Sequence, residues 1–178
     1  FNTNKIIKKL LSENKKINWM PDFARDRMHT WLSNYDDWNF TRQRFWGIPV
    51  PIFECKSCNN NLVIESKKDL EKQMKKKLPE NFDLHELNTV KIPCSCGSNL
   101  KSIGDIFDVW YDSGMAPWAW LGYPHKNKKI FEKHFPVDKI SEATDQIRGW
   151  FFSLLYTSVA VFGKSPYKTV TMPAFGVD

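Results

Sequence analysis

No apolar run in this sequence reaches the roughly eighteen residues that a membrane-spanning helix needs, and no basic stretch leads into a short apolar one. Membrane spanning and secretion are therefore poor readings, and a cytoplasmic location is expected. Internal repeats and low-complexity segments are missing as well. Arginine is scarce: of 26 Lys+Arg set against 20 Asp+Glu, all but 5 are lysine. The resulting charge of +6 permits a polyanionic partner such as RNA or ATP without demanding one, since a Lys- and Asn-rich chain can be basic through codon bias alone. Apolar and aromatic residues are plentiful. At 42% hydrophobic and 15% aromatic, 178 residues can build a genuine core, which argues against intrinsic disorder. The chain opens at Phe1 and stops at Asp178 just after a strand-like run, and reads as a piece of something longer.

Cysteine is sparse, with 4 residues, but its arrangement is informative. In a chain without an export signal, cysteines point to metal or free thiols rather than to a disulfide framework. Cys55-x-x-Cys58 is followed at a distance by Cys94-x-Cys96. Two close pairs on short turns are how a tetrahedral thiolate site is assembled from separated loops. Lys56, Ser57 and Asn59 around the first pair and Gly97 after the second fit polar turns. Structural zinc is the expected occupant, and two unrelated pairs of buried or reactive thiols are the alternative. Four protein ligands would leave no open position for catalysis, so such a metal would hold a fold together.

Along the chain, Ile6, Ile7, Leu10 and Leu11 share one helical face between Lys5 and Asn14. Pro21-Asp22 opens a second helical pattern carrying Phe23, Met28, Trp31, Leu32 and Tyr35. Phe45-Trp46-Gly47 reads as a turn, and Ile48 to Ile52 as extended, because prolines at alternate positions forbid a helix. Ser66, three residues before Asp69, starts a helix through Leu70, Met74 and Leu78 that ends at Pro79. The Lys75-Lys76-Lys77 run reads first as a solvated face and second as an RNA contact. Asp105 to Tyr111 reads as a strand by its β-branched and aromatic content, followed by a turn at Asp112-Ser113-Gly114 and a Trp-rich loop from Met115 to Gly122. From Asp145 to Gly163 a helical pattern is apolar nearly all round, as in a buried core helix stopped by glycine. Lys168 to Met172 reads as another strand. Strand, helix, strand implies a parallel α/β sheet with a crevice at its carboxyl edge.

Glu142, Asp145 and Gln146 cluster where that helix should begin, and free N–H groups there favour anions and hydroxyl-rich ligands. Carboxylates at this point can accept from ribose hydroxyls or an ammonium group; simple capping by Asp145 is the even alternative. Arg148 is expected to need a nearby acidic partner on so apolar a helix. Trp110 and Trp150 would lie near the carboxyl edge of the sheet, either walling a small apolar pocket or simply packing the core.

Three segments together resemble the class I aminoacyl-tRNA synthetases of the isoleucine, leucine and valine subgroup: Asp37-Trp-Asn-Phe-Thr-Arg-Gln-Arg-Phe-Trp-Gly-Ile-Pro-Val-Pro51, Asp108-Val-Trp-Tyr-Asp-Ser-Gly114 and Glu142-Ala-Thr-Asp-Gln-Ile-Arg-Gly-Trp-Phe151. They occur in the family's order, with the cysteine pairs where the family carries a zinc-ribbon insertion, and cover about four fifths of the chain. Asp145-Gln-Ile-Arg-Gly-Trp-Phe151 is most similar to the isoleucyl enzymes. The resemblance implies that Trp110 and Trp150 wall the isoleucine side-chain pocket. It also implies that Glu142, Asp145 and Gln146 contact the aminoacyl-adenylate around its ribose and ammonium. Two positions depart from the family pattern: Ala143 stands where glycine is usual, and Thr41 where serine is commoner.

The same resemblance implies an α/β fold, a partial Rossmann-like parallel sheet with an inserted zinc-ribbon subdomain. Residues 1–36 would be the tail of an editing-domain insertion and a linker, 37–53 the return into the catalytic domain, 54–104 the zinc-binding insertion, and 105–178 the second half of the nucleotide-binding fold. The family's His-x-Gly-His and Lys-Met-Ser-Lys-Ser signatures are absent from the chain, so the piece alone is expected to be inactive. The parent enzyme would activate isoleucine with ATP and Mg and pass it to tRNA. Its partners would be tRNA, ATP and a branched aliphatic amino acid, with structural Zn and no membrane. Three rivals stay open: a leucyl or valyl enzyme, a stand-alone zinc-ribbon module that binds nucleic acid, and an inactive paralogue.

Overall fold

The computed structural model describes residues 3–44 and 47–173; the expected turn at Phe45-Trp46 lies outside them. Contacts divide the chain into two compact units, one formed by residues 1–40 and 109–178 and the other by residues 41–108. Residues 1–36 and 109–178 lie in the first unit, and residues 54–104 lie in the second.

The first unit opens with α1 (Ile7–Lys16), which buries Leu10 against the core, followed by the short strand β1 (Asn18–Met20) and α2 (Phe23–Ser33). Asn14 ties α1 to its neighbours, its carbonyl oxygen accepting from Trp19 Nε1 at 3.0 Å and its amide donating to the Arg25 carbonyl at 3.1 Å.

The second unit contains β2 (Thr41–Arg42), β3 (Ile52–Glu54), β4 (Asn61–Val63), α3 (Lys67–Met74), a 3-10 turn at Leu84–Thr89, β5 (Lys91–Pro93), β6 (Asn99–Ser102) and β7 (Ile106–Phe107). Its main sheet has the order β4-β3-β6-β5 with every neighbour antiparallel. Phe53, Leu70, Ile92 and Leu100 form the core beneath it. Ser66 caps α3 as the sequence indicates, its hydroxyl accepting from the Asp69 amide at 3.2 Å. The helix stops at Met74 rather than at Pro79, because Lys75 turns left-handed (φ 55°) and Glu71 receives the next amides. The lysines at 75–77 are exposed.

The first unit resumes with α4 (Val109–Gly114), α5 (Ala116–Ala119), α6 (Lys128–His134), β8 (Val137–Ser141), a 3-10 turn at Thr144–Arg148, α7 (Trp150–Phe162) and β9 (Tyr167–Thr171). Its sheet has the order β1-β9-β8 and is parallel throughout. The parallel sheet is thus present, but the crossover runs β8–α7–β9. Asp105–Tyr111 is a strand only at Ile106–Phe107, and Val109-Trp110-Tyr111 is helical. Strand propensity expresses packing on a pleated surface, and here the packing partner is the face of α7. The Trp-rich loop likewise contains α5, which buries Trp118. Every residue of α7 from Phe151 to Val159 is buried, as an all-round apolar helix requires, and Gly163 ends it in the left-handed conformation (φ 68°). The helix begins at Trp150, not at Asp145, because Gly149 (ψ −115°) breaks the helical path between the 3-10 turn and α7.

Candidate functional site

The four cysteines lie on two hairpin turns of the second unit. Cys55 follows β3, and its turn closes with the Asn59 amide donating to the Cys55 carbonyl at 2.8 Å, Asn59 taking φ 57°. Cys94 follows β5, and its turn closes with the Gly97 amide donating to the Cys94 carbonyl at 3.0 Å, Gly97 taking φ 85°. Because β3 and β6 are paired, both turns emerge at one end of the sheet, and the Ser57 hydroxyl donates to that of Ser98 at 3.1 Å across them.

All four sulfurs fall within 4.8 Å of one another, with Cys55–Cys96 and Cys58–Cys94 each 3.6 Å apart. A tetrahedron with metal–sulfur bonds of about 2.3 Å has edges of about 3.8 Å, so the separations suit a single metal ion and are too long for disulfides. The electrostatics agree. The Cys96 amide draws the Cys94 thiol down to about 6 against the opposing effect of burial. The Asn60 amide favours the Cys58 thiolate, but the three neighbouring sulfurs push that thiol up to about 12. Four sulfurs so close cannot all ionise unaided, and a divalent cation removes that penalty.

The second constellation surrounds the start of α7. Gln146 is its centre: its side-chain oxygen accepts from the Trp150 amide at 2.8 Å and its side-chain nitrogen donates to Asp145 Oδ2 at 3.0 Å. Gln146, rather than Asp145, therefore caps the first turn of α7. Trp150 is half-buried and donates its indole N–H to the Ser113 carbonyl at 3.2 Å. Trp110 is 44% exposed on α4, and its ring edge lies 3.2 Å from where a Cβ on Gly149 would stand. Trp110, Gln146 and Trp150 thus meet around one side-chain-free position. Glu142 and Asp145 are exposed beside them at the carboxyl end of β8.

Arg148 departs from expectation. It is exposed on the 3-10 turn, and its guanidinium lies 5.1 Å over the Trp31 ring, with no carboxylate partner among the described residues. With α7 starting only at Trp150, Arg148 never enters the core, so no buried charge has to be compensated. A contact at a buried carboxylate has no counterpart in the sequence reading: the exposed Arg42 on β2 forms an ion pair with Asp108, which is 5% exposed. Two of the three motif segments are thereby joined, and the only signal for it was a carboxylate set between aromatic and β-branched neighbours.

A family model described as tRNA synthetases class I (I, L, M and V) matches residues 1–178. The chain belongs to the class I tRNA synthetases. Isoleucine–tRNA ligase of Methanoregula boonei is 46% identical over 172 residues, covering 95% of this chain. The ligase of Methanoculleus marisnigri is 41% identical over 95% of the chain, and that of Methanospirillum hungatei JF-1 42% identical over 98%. The chain spans only 16% of the length of each of these ligases. Among solved structures, the ternary complex of Agrobacterium radiobacter K84 agnB2 LeuRS with tRNA and LeuAMS superposes with a TM-score of 0.54 at 20% identity, over 88% of this chain and 23% of that one. That likeness establishes a shared synthetase fold. A stand-alone zinc ribbon does not describe this chain, since the cysteine-bearing unit is one of two and the family match spans both.

Proposed function

We propose that this chain is part of the catalytic domain of an isoleucine–tRNA ligase acting in the cytoplasm. Such an enzyme uses ATP with Mg to convert isoleucine into an adenylate and pyrophosphate. It then transfers the acyl group to the terminal adenosine of tRNA. The observation that carries this reading is the Asp145-Gln-Ile-Arg-Gly-Trp-Phe151 segment, set at the carboxyl end of β8 with Trp110 against Gly149. The 41–46% identity to isoleucine–tRNA ligases supports it.

In this reading the indole faces of Trp110 and Trp150 wall the side-chain pocket, and both are held by α4 and α7 rather than by flexible loops. Glu142 and Asp145 accept from the ammonium and ribose hydroxyls of the adenylate, with Gln146 orienting Asp145 from within the turn. The protein's contribution is positioning and electrostatic complementarity, not covalent chemistry. Cys55, Cys58, Cys94 and Cys96 hold structural zinc, which supplies folding free energy to the second unit and leaves no open coordination position. Among the described residues no helix is long and apolar enough to cross a membrane. The isolated chain lacks the two phosphate-handling signatures and should catalyse neither step.

The test is amino-acid-dependent ATP–pyrophosphate exchange by the full-length enzyme, run separately with isoleucine, leucine and valine. Exchange strongest with isoleucine is expected, with valine trailing by the about 1–3 kcal/mol that one methylene confers. Exchange strongest with leucine would reassign the amino acid, and none with any of the three would overturn the enzyme reading.

A further inference from the structure

The short helix α4 ends against one stripe of α7. Trp150, Ser153 and Thr157 stand at positions i, i+3 and i+7 of α7 and so share a face. The last carbonyls of a helix lack partners within it and must find them elsewhere. Side chains of α7 supply them here. The Trp150 indole N–H donates to the Ser113 carbonyl at 3.2 Å, and the Thr157 hydroxyl donates to the Gly114 carbonyl at 2.6 Å. Gly114 itself rests against the α7 backbone, where a Cβ would stand 2.9 Å from the Ser153 carbonyl oxygen.

The Thr157 hydroxyl has one proton and three acceptors. Besides the Gly114 carbonyl, those of Ser153 and Leu154 in its own helix lie at 2.8 and 3.2 Å. A threonine within a helix commonly bonds back to the carbonyl four residues earlier. In α7 the shortest contact instead crosses to the neighbouring helix. Thr157 is 1% exposed and Gly114 is buried, so bulk water does not compete for that bond. Trp110 lies one turn before Ser113 and Gly114 on the same face of α4, and its ring edge meets the side-chain-free position at Gly149. A helix of six residues moves as a unit, so displacing its carboxyl end displaces Trp110.

We propose that Thr157 is a positioning residue for amino-acid selection: by holding the end of α4 against α7, it fixes the gap between the Trp110 and Trp150 rings. The inference rests on the reading in which those two indoles wall the side-chain pocket. Thr157 lies seven residues along α7 from Trp150, about 10 Å of helical rise, and acts through the two tryptophans.

The experiment measures ATP–pyrophosphate exchange by full-length Thr157→Val and Thr157→Ser enzymes, with isoleucine and with valine, alongside their melting temperatures. Thr157→Val keeps the shape of the side chain and turns a methyl toward the Gly114 carbonyl; Thr157→Ser keeps the hydroxyl and loses the methyl that packs on Gly114. In Thr157→Val the KM for isoleucine should rise about fivefold, and the isoleucine-over-valine ratio of kcat/KM should fall about three- to tenfold, with kcat and the KM for ATP within about twofold of wild type. Hydrogen exchange should quicken over residues 109–114 and stay slow at Leu155. Thr157→Ser should keep the ratio within about twofold of wild type, even though losing a buried methyl lowers its melting temperature. An unchanged ratio in Thr157→Val would overturn the proposal, and so would a Thr157→Ser enzyme whose ratio falls with its melting temperature. Should the valine variant fail to fold, the serine variant decides alone. Failure of the underlying reading looks different: wild-type exchange that does not favour isoleucine, or that Trp150→Ala leaves intact, removes the pocket walls and this role with them.

Discussion

Trp150 is anchored at both ends of its residue: its backbone amide donates to Gln146 and its indole N–H to the Ser113 carbonyl, and its ring packs half-buried against the core with part of its face exposed. If that face walls the amino-acid pocket, Trp150→Ala should lower kcat/KM for isoleucine by about 10- to 100-fold, the equivalent of about 1.5–3 kcal/mol of lost apolar contact, with the KM for ATP little changed. Equal damage to both substrates would remove the pocket assignment. Glu13 carries a second residue-scale consequence. Burial alone would push its carboxyl up, but Lys16 at 2.6 Å and the Ser165 amide at 3.1 Å outweigh burial and hold it below its ordinary value. A depressed carboxyl contributes stability that is complete above its unfolded-state value and is lost as pH falls through the folded one. The wild-type melting temperature should therefore drop more steeply below about pH 4.5 than that of Glu13→Gln, as thermal unfolding across an acid pH series would record.

The pairing of α4 with α7 depends on a close approach at Gly114. A Cβ there would stand 2.9 Å from the Ser153 carbonyl oxygen and 3.1 Å from Thr157 Cγ2, and the Thr157 hydroxyl already donates to the Gly114 carbonyl at 2.6 Å. Gly114→Ala must push the helices apart and should cost about 1–3 kcal/mol, visible as a lower urea midpoint. Since α4 carries Trp110 and α7 carries Trp150, the same substitution should weaken isoleucine activation by more than it weakens stability-matched variants elsewhere. The start of α7 offers a separate element-scale prediction. Gln146→Ala leaves the Trp150 amide without its side-chain acceptor, a loss of about 1 kcal/mol by analogy with other helix caps. Hydrogen exchange should then quicken at the first turn of α7 and stay slow around Leu155.

For the whole molecule, the cysteine-bearing unit should owe its stability to the metal. Its sheet has strands of three or four residues over a modest core, the size range in which small domains rely on metals or disulfides. One zinc per chain is expected by native mass spectrometry. Chelation should abolish hydrogen-exchange protection across residues 52–102 while residues 151–159 remain protected, and a uniform loss would mean that the metal stabilises both units alike. Much of this architecture was legible in the residues themselves. The periodicity of Ile7, Leu10 and Leu11, the all-round apolar run ending at Gly163, and the Ser66 cap depend on local chemistry that a sequence displays directly. So do the two cysteine pairs, because metal-ligand spacing is a property of short turns. What required the tertiary structure were features set by distant partners. Val109 to Tyr111 has strand-like composition yet coils against α7, and β1 and β8 are too short or too polar to announce themselves without β9 between them. The sequence by itself determined the family, the thiolate set and the buried crossover helix. Only the folded chain decided that Gln146 rather than Asp145 caps that helix, and that Arg148 rests on Trp31, because both depend on where the backbone turns at Gly149.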